Sequence, residues 1–275
     1  MANRLVLRQT LRYHYPLPIQ HLDHHLMVLP PARHGDQVRT ESSLEVRGPD
    51  ADVTESVDEF GNVAVRVRAP EVRAWVEFVV RVAVERHAGA GAPADEGRRM
   101  LVASELTEPG DELRRAAREL RDASGAAGLG LAQRINAWVA AHMHYRHDVT
   151  TVRTTAAEAL ALGAGVCQDY AHVMLALCRL SGLPARYVSG HMVGEGGSHA
   201  WVEVLLPSAT DRASLLAVPF DPTNNRMAGA SYLTVAVGRD YADVAPTHGS
   251  YCGPVGGTLT TTKTLEQETV DLVAC

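Results

Sequence analysis

Cys167 stands in the run Gly163-Ala164-Gly165-Val166-Cys167-Gln168-Asp169, where two glycines give way to helical spacing. A thiol at the start of a helix meets unpaired backbone N–H groups and the positive end of the dipole, which favour its anion. Such surroundings lower a cysteine pKa to roughly 3.5 to 7.5, and the thiolate is the nucleophile. The same position also suits an inert core thiol. His199 opens an alternating segment directly after the glycine-rich loop at 194–198, where an imidazole can face a neighbouring helix tip; a strand-end histidine bonded to backbone is the plainer alternative. Asp221 closes the apolar segment at 216–220 and precedes Pro222. There a carboxylate can hold an imidazole tautomer, although Asp before Pro also starts ordinary turns. Taken in order, the three residues supply a nucleophile, a general base and its orienting acid, the set needed for acyl transfer through a covalent intermediate.

The remaining composition narrows the field. With 26 basic against 32 acidic residues and a formal charge of -6, the chain has no electrostatic footprint for nucleic acid or an anionic membrane, and neither is expected as a partner. Residues 1–10 alternate around Arg4 and Arg8 without the unbroken apolar stretch of a signal-peptide core, so a cytoplasmic protein is expected. No run approaches the ~18 apolar residues of a spanning helix. Four scattered cysteines do not form a disulfide framework, and a reducing compartment would keep a reactive thiol available. Two histidine groups, His142 with His144 and His147, and His21 with His24 and His25, lack the Cys or carboxylate spacing of a metal site. No metal and no cofactor is called for. The loop at 194–197 has no Gly-Lys-Ser sequel and reads as a hairpin beside the site rather than a phosphate loop.

Positioning the three residues requires elements from two regions. In residues 1–87 the pattern is strand-like: Leu5, Leu7, Leu11, Tyr13 and Tyr15 alternate with polar residues until Pro16 and Pro18, and Val63, Val65, Val67 and then Val76, Phe78, Val80, Val82, Val84 repeat the period of two. Asp58-Glu59-Phe60-Gly61-Asn62 supplies turn chemistry between them, and several such strands imply a sandwich-like β domain. The Ala/Gly/Pro-rich stretch at 87–96 marks a domain boundary. Helical spacing follows at Leu113, Ala116, Ala117 and Leu120, then, after a glycine-rich break at 124–130, at Leu131, Ile135, Trp138, Val139 and His142. Thr155 and Glu158 form a capping box for a short helix that stops near Gly163. A second helix should start near Val166, carry Cys178 on its core face and end before Gly182 and Pro184. Strands at 186–193, 199–206 and 216–221 come after it. Helices followed by strands indicate an α+β fold, with an N-terminal β domain over 1–87 and a core of helices packed on an antiparallel sheet over 88–275.

Four blocks in this order, Gly165-Val166-Cys167-Gln168-Asp169-Tyr170-Ala171-His172, Pro184-Ala185-Arg186-Tyr187-Val188-Ser189-Gly190, Ser198-His199-Ala200-Trp201-Val202-Glu203-Val204 and Phe220-Asp221-Pro222-Thr223-Asn224, closely resemble the bacterial transglutaminase-like cysteine peptidase family. The resemblance extends to the segments at 58–62 and 237–246. It implies a papain-like core with Cys167, His199 and Asp221 as its triad, acting on a peptide or protein substrate with water or an amine as acyl acceptor. Papain-like proteases carry a glutamine upstream of the cysteine as an oxyanion donor, and residues 155–166 contain none. The Cys167 N–H is then the first donor, with Gln168, Trp138 or Tyr145 open as the second. Trp201 shares the His199 face of its strand, and Asp240, in the polar run Arg239-Asp240-Tyr241-Ala242-Asp243, is expected in a buried network supporting the site. The alternative from another class is a catalytically silent module whose β domain binds a protein partner.

Overall fold

The structure, a computed structural model, describes residues 2–87, 97–122, 127–208, 214–254 and 256–270. Residues 88–96 of the stretch expected at 87–96, residues 124–126 of the break expected at 124–130, and Cys275 lie outside those residues. Seven strands come first: β1 (Ala2–His14), β2 (Ile19–Leu29), β3 (Arg33–His34), β4 (Gln37–Arg47), β5 (Asp52–Val57), β6 (Val63–Val72) and β7 (Trp75–Arg86). Alternation decides their faces. Leu5, Leu7 and Leu11 of β1 are buried beside Val76, Phe78, Val80, Val82 and Val84 of β7, while Arg4, Arg8 and Arg12 turn outward and pair with Glu41, Glu266 and Glu77. Against this layer pack Ile19, Leu22 and Leu26 of β2 and Val63, Val65 and Val67 of β6, which gives the expected two-layered β domain.

The second region begins with α1 (Asp111–Asp122) and α2 (Leu129–His142), followed by β8 (His144–Tyr145), α3 (Ala156–Leu162), β9 (Ala164–Gly165) and α4 (Cys167–Leu180). In α1 the buried residues are Leu113, Ala116, Ala117 and Leu120, the face read from the sequence. In α2 burial follows Leu131, Ile135, Asn136 and Val139, whereas Trp138 and His142 lie off that stripe and stack on each other at 3.8 Å. The capping box of α3 forms as read: Thr155 Oγ1 accepts from Glu158 N at 3.3 Å, Glu158 Oε2 accepts from Thr155 N at 2.8 Å, and Gly163 ends the helix at a φ of 63°. Helix α4 is apolar on nearly every side because it is wrapped by α1, α2 and α3 on one flank and by a sheet on the other. That sheet is antiparallel and built from β10 (Ala185–Met192), β11 (His199–Pro207), β12 (Leu215–Asp221), β13 (Arg226–Met227) and β14 (Tyr232–Gly238), in the order β13-β12-β11-β10-β14.

The chain then departs from the sequence expectation. Residues 247–270, grouped with the core in that reading, form β15 (Thr247–Cys252) and β16 (Thr258–Val270), which pair with β2 and β1 and complete the sheets β15-β2-β6-β5 and β16-β1-β7-β4-β3. The β domain is thus assembled from both ends of the chain around the core. Its attachment is polar and specific. Gln37 donates Nε2–H to the Thr234 carbonyl at 2.8 Å and accepts from Thr234 N at 2.9 Å. Asn62 likewise reads both backbone groups of Val237 at 2.7 and 2.8 Å, and Arg86 reaches the Tyr232 carbonyl. Two carboxamides and a guanidinium therefore take the place of a neighbouring strand along the free edge of β14.

Candidate active site

Cys167 is the first residue of α4 and half-buried, with Val166 as its N-cap in extended conformation. The Asp169 carboxylate reaches back to accept from the Val166 N–H at 2.8 Å and from Thr150 Oγ1 at 2.7 Å, which closes the helix tip. Room for this loop depends on Gly165, where a Cβ would lie 2.4 Å from Asp169 Oδ2. Burial raises the Asp169 carboxyl above its ordinary range, with the hydrogen bonds from Thr150 and Val166 opposing it. The N–H of Cys167 at the first helical position is one of the donors that a helix leaves without an internal acceptor.

The hairpin between β10 and β11 sets His199 opposite Gly190 at the start of β11, and β12 runs back along β11 to end at Asp221. His199 donates Nε2–H to Asp221 Oδ2 at 2.8 Å. Its other nitrogen, Nδ1, is the one left to face the sulfur, and a hydrogen bond joins the ring to Cys167. Burial by itself would push the imidazole down; bonds to Asp221 and Cys167 and the charges of both outweigh it and raise the pKa from 6.5 to about 9. Asp221 has no exposed surface, and burial works against its charge. Five donors counter that: His199, Thr223 N, Asn224 N, Asn224 Nδ2 and the Tyr232 hydroxyl at 2.6 Å hold the carboxyl below its ordinary value. The Tyr232 oxygen in turn accepts from Arg226 Nε at 2.8 Å.

Asn224, Arg226 and Tyr232 were not singled out from the sequence. Asn224 lies in the quoted Asp-Pro-Thr-Asn block, so its signal was an Asx-type turn directly after the acid; Tyr232 and Arg226 are joined to Asp221 only by the β12, β13 and β14 pairings.

The residues considered as further support fall into different places. Trp201 stacks over His199 with centroids 6.2 Å apart and meets Tyr232 edge-on. Tyr145, brought opposite Gly165 by the parallel pairing of β8 with β9, is close enough to Cys167 that, after burial, the thiol's charge helps to raise its phenol pKa. Gln168 follows Cys167, but its carboxamide donates to the Thr151 carbonyl at 3.4 Å. Trp138 is engaged with His142 on α2. Asp240 belongs to a buried network, yet one centred on Arg179 near the far end of α4, twelve residues or roughly 18 Å of helix from Cys167. There it accepts from Leu106 N and Ala242 N, while Arg179 binds Met100 O, Thr107 Oγ1, Ala185 O and Arg239 O. It supports the C-terminal end of the helix and not the imidazole. Cys178 is fully buried, and burial pushes its thiol up to about 12. Among the described residues no group of three His, Cys, Asp or Glu side chains is arranged to hold a metal.

A helix that opens on a cysteine, packed against an antiparallel sheet whose strands deliver a histidine and an aspartate to its tip, defines a transglutaminase-like core. Residues 114–213 match the transglutaminase-like superfamily, a span that includes Cys167 and His199 and stops short of Asp221. Residues 5–85 match the bacterial transglutaminase-like N-terminal region. The chain thus carries a transglutaminase-like core region, with a bacterial transglutaminase-like N-terminal region ahead of it.

A solved structure of a candidate cysteine protease from Cytophaga hutchinsonii shares the fold over 99% of this chain and 93% of that one, with a TM-score of 0.79 and 21% identity. Among curated proteins, an uncharacterised protein of Mycobacterium leprae is 38% identical over 42% of this chain, and one of Mycobacterium bovis is 40% identical over 38%. The alignments take in 42% and 36% of those relatives, so this chain matches about two-fifths of their length.

Proposed function

We propose that the protein cleaves amide bonds by cysteine-dependent acyl transfer. The observation that carries this reading is His199, bonded on one side to the buried Asp221 and on the other to the helix-tip thiol of Cys167. In the first half-reaction the Cys167 thiolate attacks the carbonyl carbon of a peptide or protein amide, and the Cys167 N–H donates to the developing oxyanion. The tetrahedral centre collapses, the C–N bond breaks, and the His199 imidazolium gives its proton to the departing amine. Neutral His199 then takes a proton from the acceptor as it attacks the thioester. Water releases an acid, which is peptidase or amidase chemistry; an amine makes a new amide, which is transglutaminase chemistry.

Incubation with a glutamine-containing peptide library, with and without an added primary amine, followed by mass spectrometry separates the two. Shortened peptides or a gain of one dalton from deamidation mark hydrolysis, and an amine adduct marks transfer. Loss of every product in Cys167→Ala with an unchanged circular dichroism spectrum is expected. No product of either kind from the native chain, together with Cys167 alkylation by iodoacetamide no faster than a model thiol, would overturn the proposal and favour a protein-binding module. The chemistry needs a reduced thiol, and we place the protein in the cytoplasm on that account; non-reducing mass analysis of protein taken from cells would reveal a Cys167 disulfide if this placement were wrong.

A further inference from the structure

Between the β domain and the core lies a recess, a cavity of about 310 Å³. Its walls come from the inward faces of β1 and β16, from β2, and from β10, β14 and the loop that leads into His199. Leu11, Met27, Val235 and Leu259 make much of it apolar. Among the polar residues that also line it, two stand out. Gln9 and His191, 8% and 4% exposed, both line the cavity, and among the described residues Gln9 Oε1 and His191 Nδ1 have no hydrogen-bond partner. A buried polar atom without a partner forfeits its hydration with nothing in return, so two in one recess call for an explanation.

Their chemistry specifies what would satisfy them. His191 is neutral: burial first, then the Lys263 ammonium, hold its pKa near 3, against a backbone bond to Gly197. With Nδ1 unpaired, the Gly197 carbonyl is left to the N–H of Nε2, and Nδ1 presents a bare lone pair. Gln9 Oε1 is likewise an acceptor. Two acceptors want two donors. A ligand ammonium is disfavoured by the apolar walls and by Lys263, which donates to the Gly197 carbonyl on the same loop. A hydroxyl offers a single donor, whereas the NH2 of a primary carboxamide offers two on one uncharged atom.

We propose that this interdomain cavity binds a neutral aliphatic primary carboxamide, whose NH2 donates to Gln9 Oε1 and His191 Nδ1 while its chain lies against Leu11, Met27 and Leu259. The site is separate from the Cys167 thiol and does not depend on its chemistry. Because Ser198 lines the recess and precedes His199, occupancy bears on the loop that carries the imidazole.

Isothermal titration of the full-length Cys167→Ala chain with hexanamide tests this apart from turnover. Saturable binding is expected, at least about tenfold tighter than for hexan-1-ol, hexylamine or hexanoate, and weakened about tenfold or more by Gln9→Leu. Should Gln9→Leu not fold, Leu259→Trp at a 46% exposed wall position blocks the recess and abolishes binding. A parallel titration with a capped glutamine tripeptide identifies whether a free amide or a substrate side chain is the tighter occupant. No saturable binding of either carboxamide, equal or tighter binding of the alcohol, amine or acid, or binding unchanged in both wall variants would overturn the proposal.

Discussion

Asp221→Asn removes the charge facing His199 while keeping size and one acceptor oxygen. In the native protein burial alone would drive the imidazole below its ordinary 6.5, and the Asp221 and Cys167 interactions reverse that to about 9. The interval from 6.5 to about 9 corresponds to roughly 3 kcal/mol of preference for the protonated ring in the folded chain. Since the folded value is the higher one, that stabilisation is complete below pH 6.5 and disappears as pH rises through about 9. Without the carboxylate, burial dominates and His199 is expected to titrate below 6.5, leaving little imidazolium at neutral pH to protonate a leaving amine. Rate should fall by at least about two orders of magnitude with little change in KM, because the substitution spoils proton transfer and not the binding surface. NMR titration of the ring, with urea unfolding of both proteins at pH 6 and pH 10.5, supplies the readout. The stability gap between native protein and variant should narrow by roughly 3 kcal/mol between those pH values. A gap independent of pH, or a native His199 that titrates near 6.5, would refute the reasoning.

Other perturbations test the supports. Gly165→Ala forces a Cβ into the Asp169 carboxylate, so the α4 cap should open at a cost of about 1 to 2 kcal/mol in thermal unfolding, with slower iodoacetamide alkylation of Cys167. Gln37→Leu strands the N–H and carbonyl of Thr234 against the β domain; a loss of about 2 to 4 kcal/mol and faster hydrogen exchange at Thr234 are expected. In the buried set where Glu203 bonds His34 at 2.8 Å and Arg186 at 2.7 Å, Glu203→Gln should cost about 3 to 5 kcal/mol. Burial opposes the Glu203 charge, but His34 and Arg186 lower its pKa to about 2, so the native advantage should be full above pH 4.5 and fade in acid as pH falls toward 2. An acid-unfolding curve shared by native protein and variant would contradict that.

Where local chemistry determined the structure, the sequence could be read closely. The capping box of α3 and its glycine stop are decided within nine residues, and the strands of β1, β6 and β7 declare themselves because one face is apolar and the other charged. Cys167, His199 and Asp221 were legible for a related reason: each sits at the end of a locally recognisable element. The second circle around Asp221 was not, because Tyr232 and Arg226 reach it only through strand pairings that no local pattern records. β16 escaped notice too. In Thr-Leu-Thr-Thr-Thr-Lys-Thr-Leu-Glu-Gln-Glu-Thr-Val polar residues fill both faces, and Leu265 is its buried hydrophobe among the described side chains, as suits an outermost strand. Asp240 illustrates the opposite error. Its polar neighbourhood was read correctly, but distance along α4 assigns it to the other end of the helix.

The return of β16 to β1 also bears on how the molecule is made. From Ala2 opposite Val270 to His14 opposite Thr258, β1 is zipped to a strand that the whole transglutaminase-like core separates from it in sequence. On the ribosome, at roughly 5 to 20 residues per second, β1 therefore waits until the intervening core has been made before its outer flank is covered. Over that interval an open row of amides can recruit another nascent chain, and a fragment cut after residue 87 would keep it open permanently.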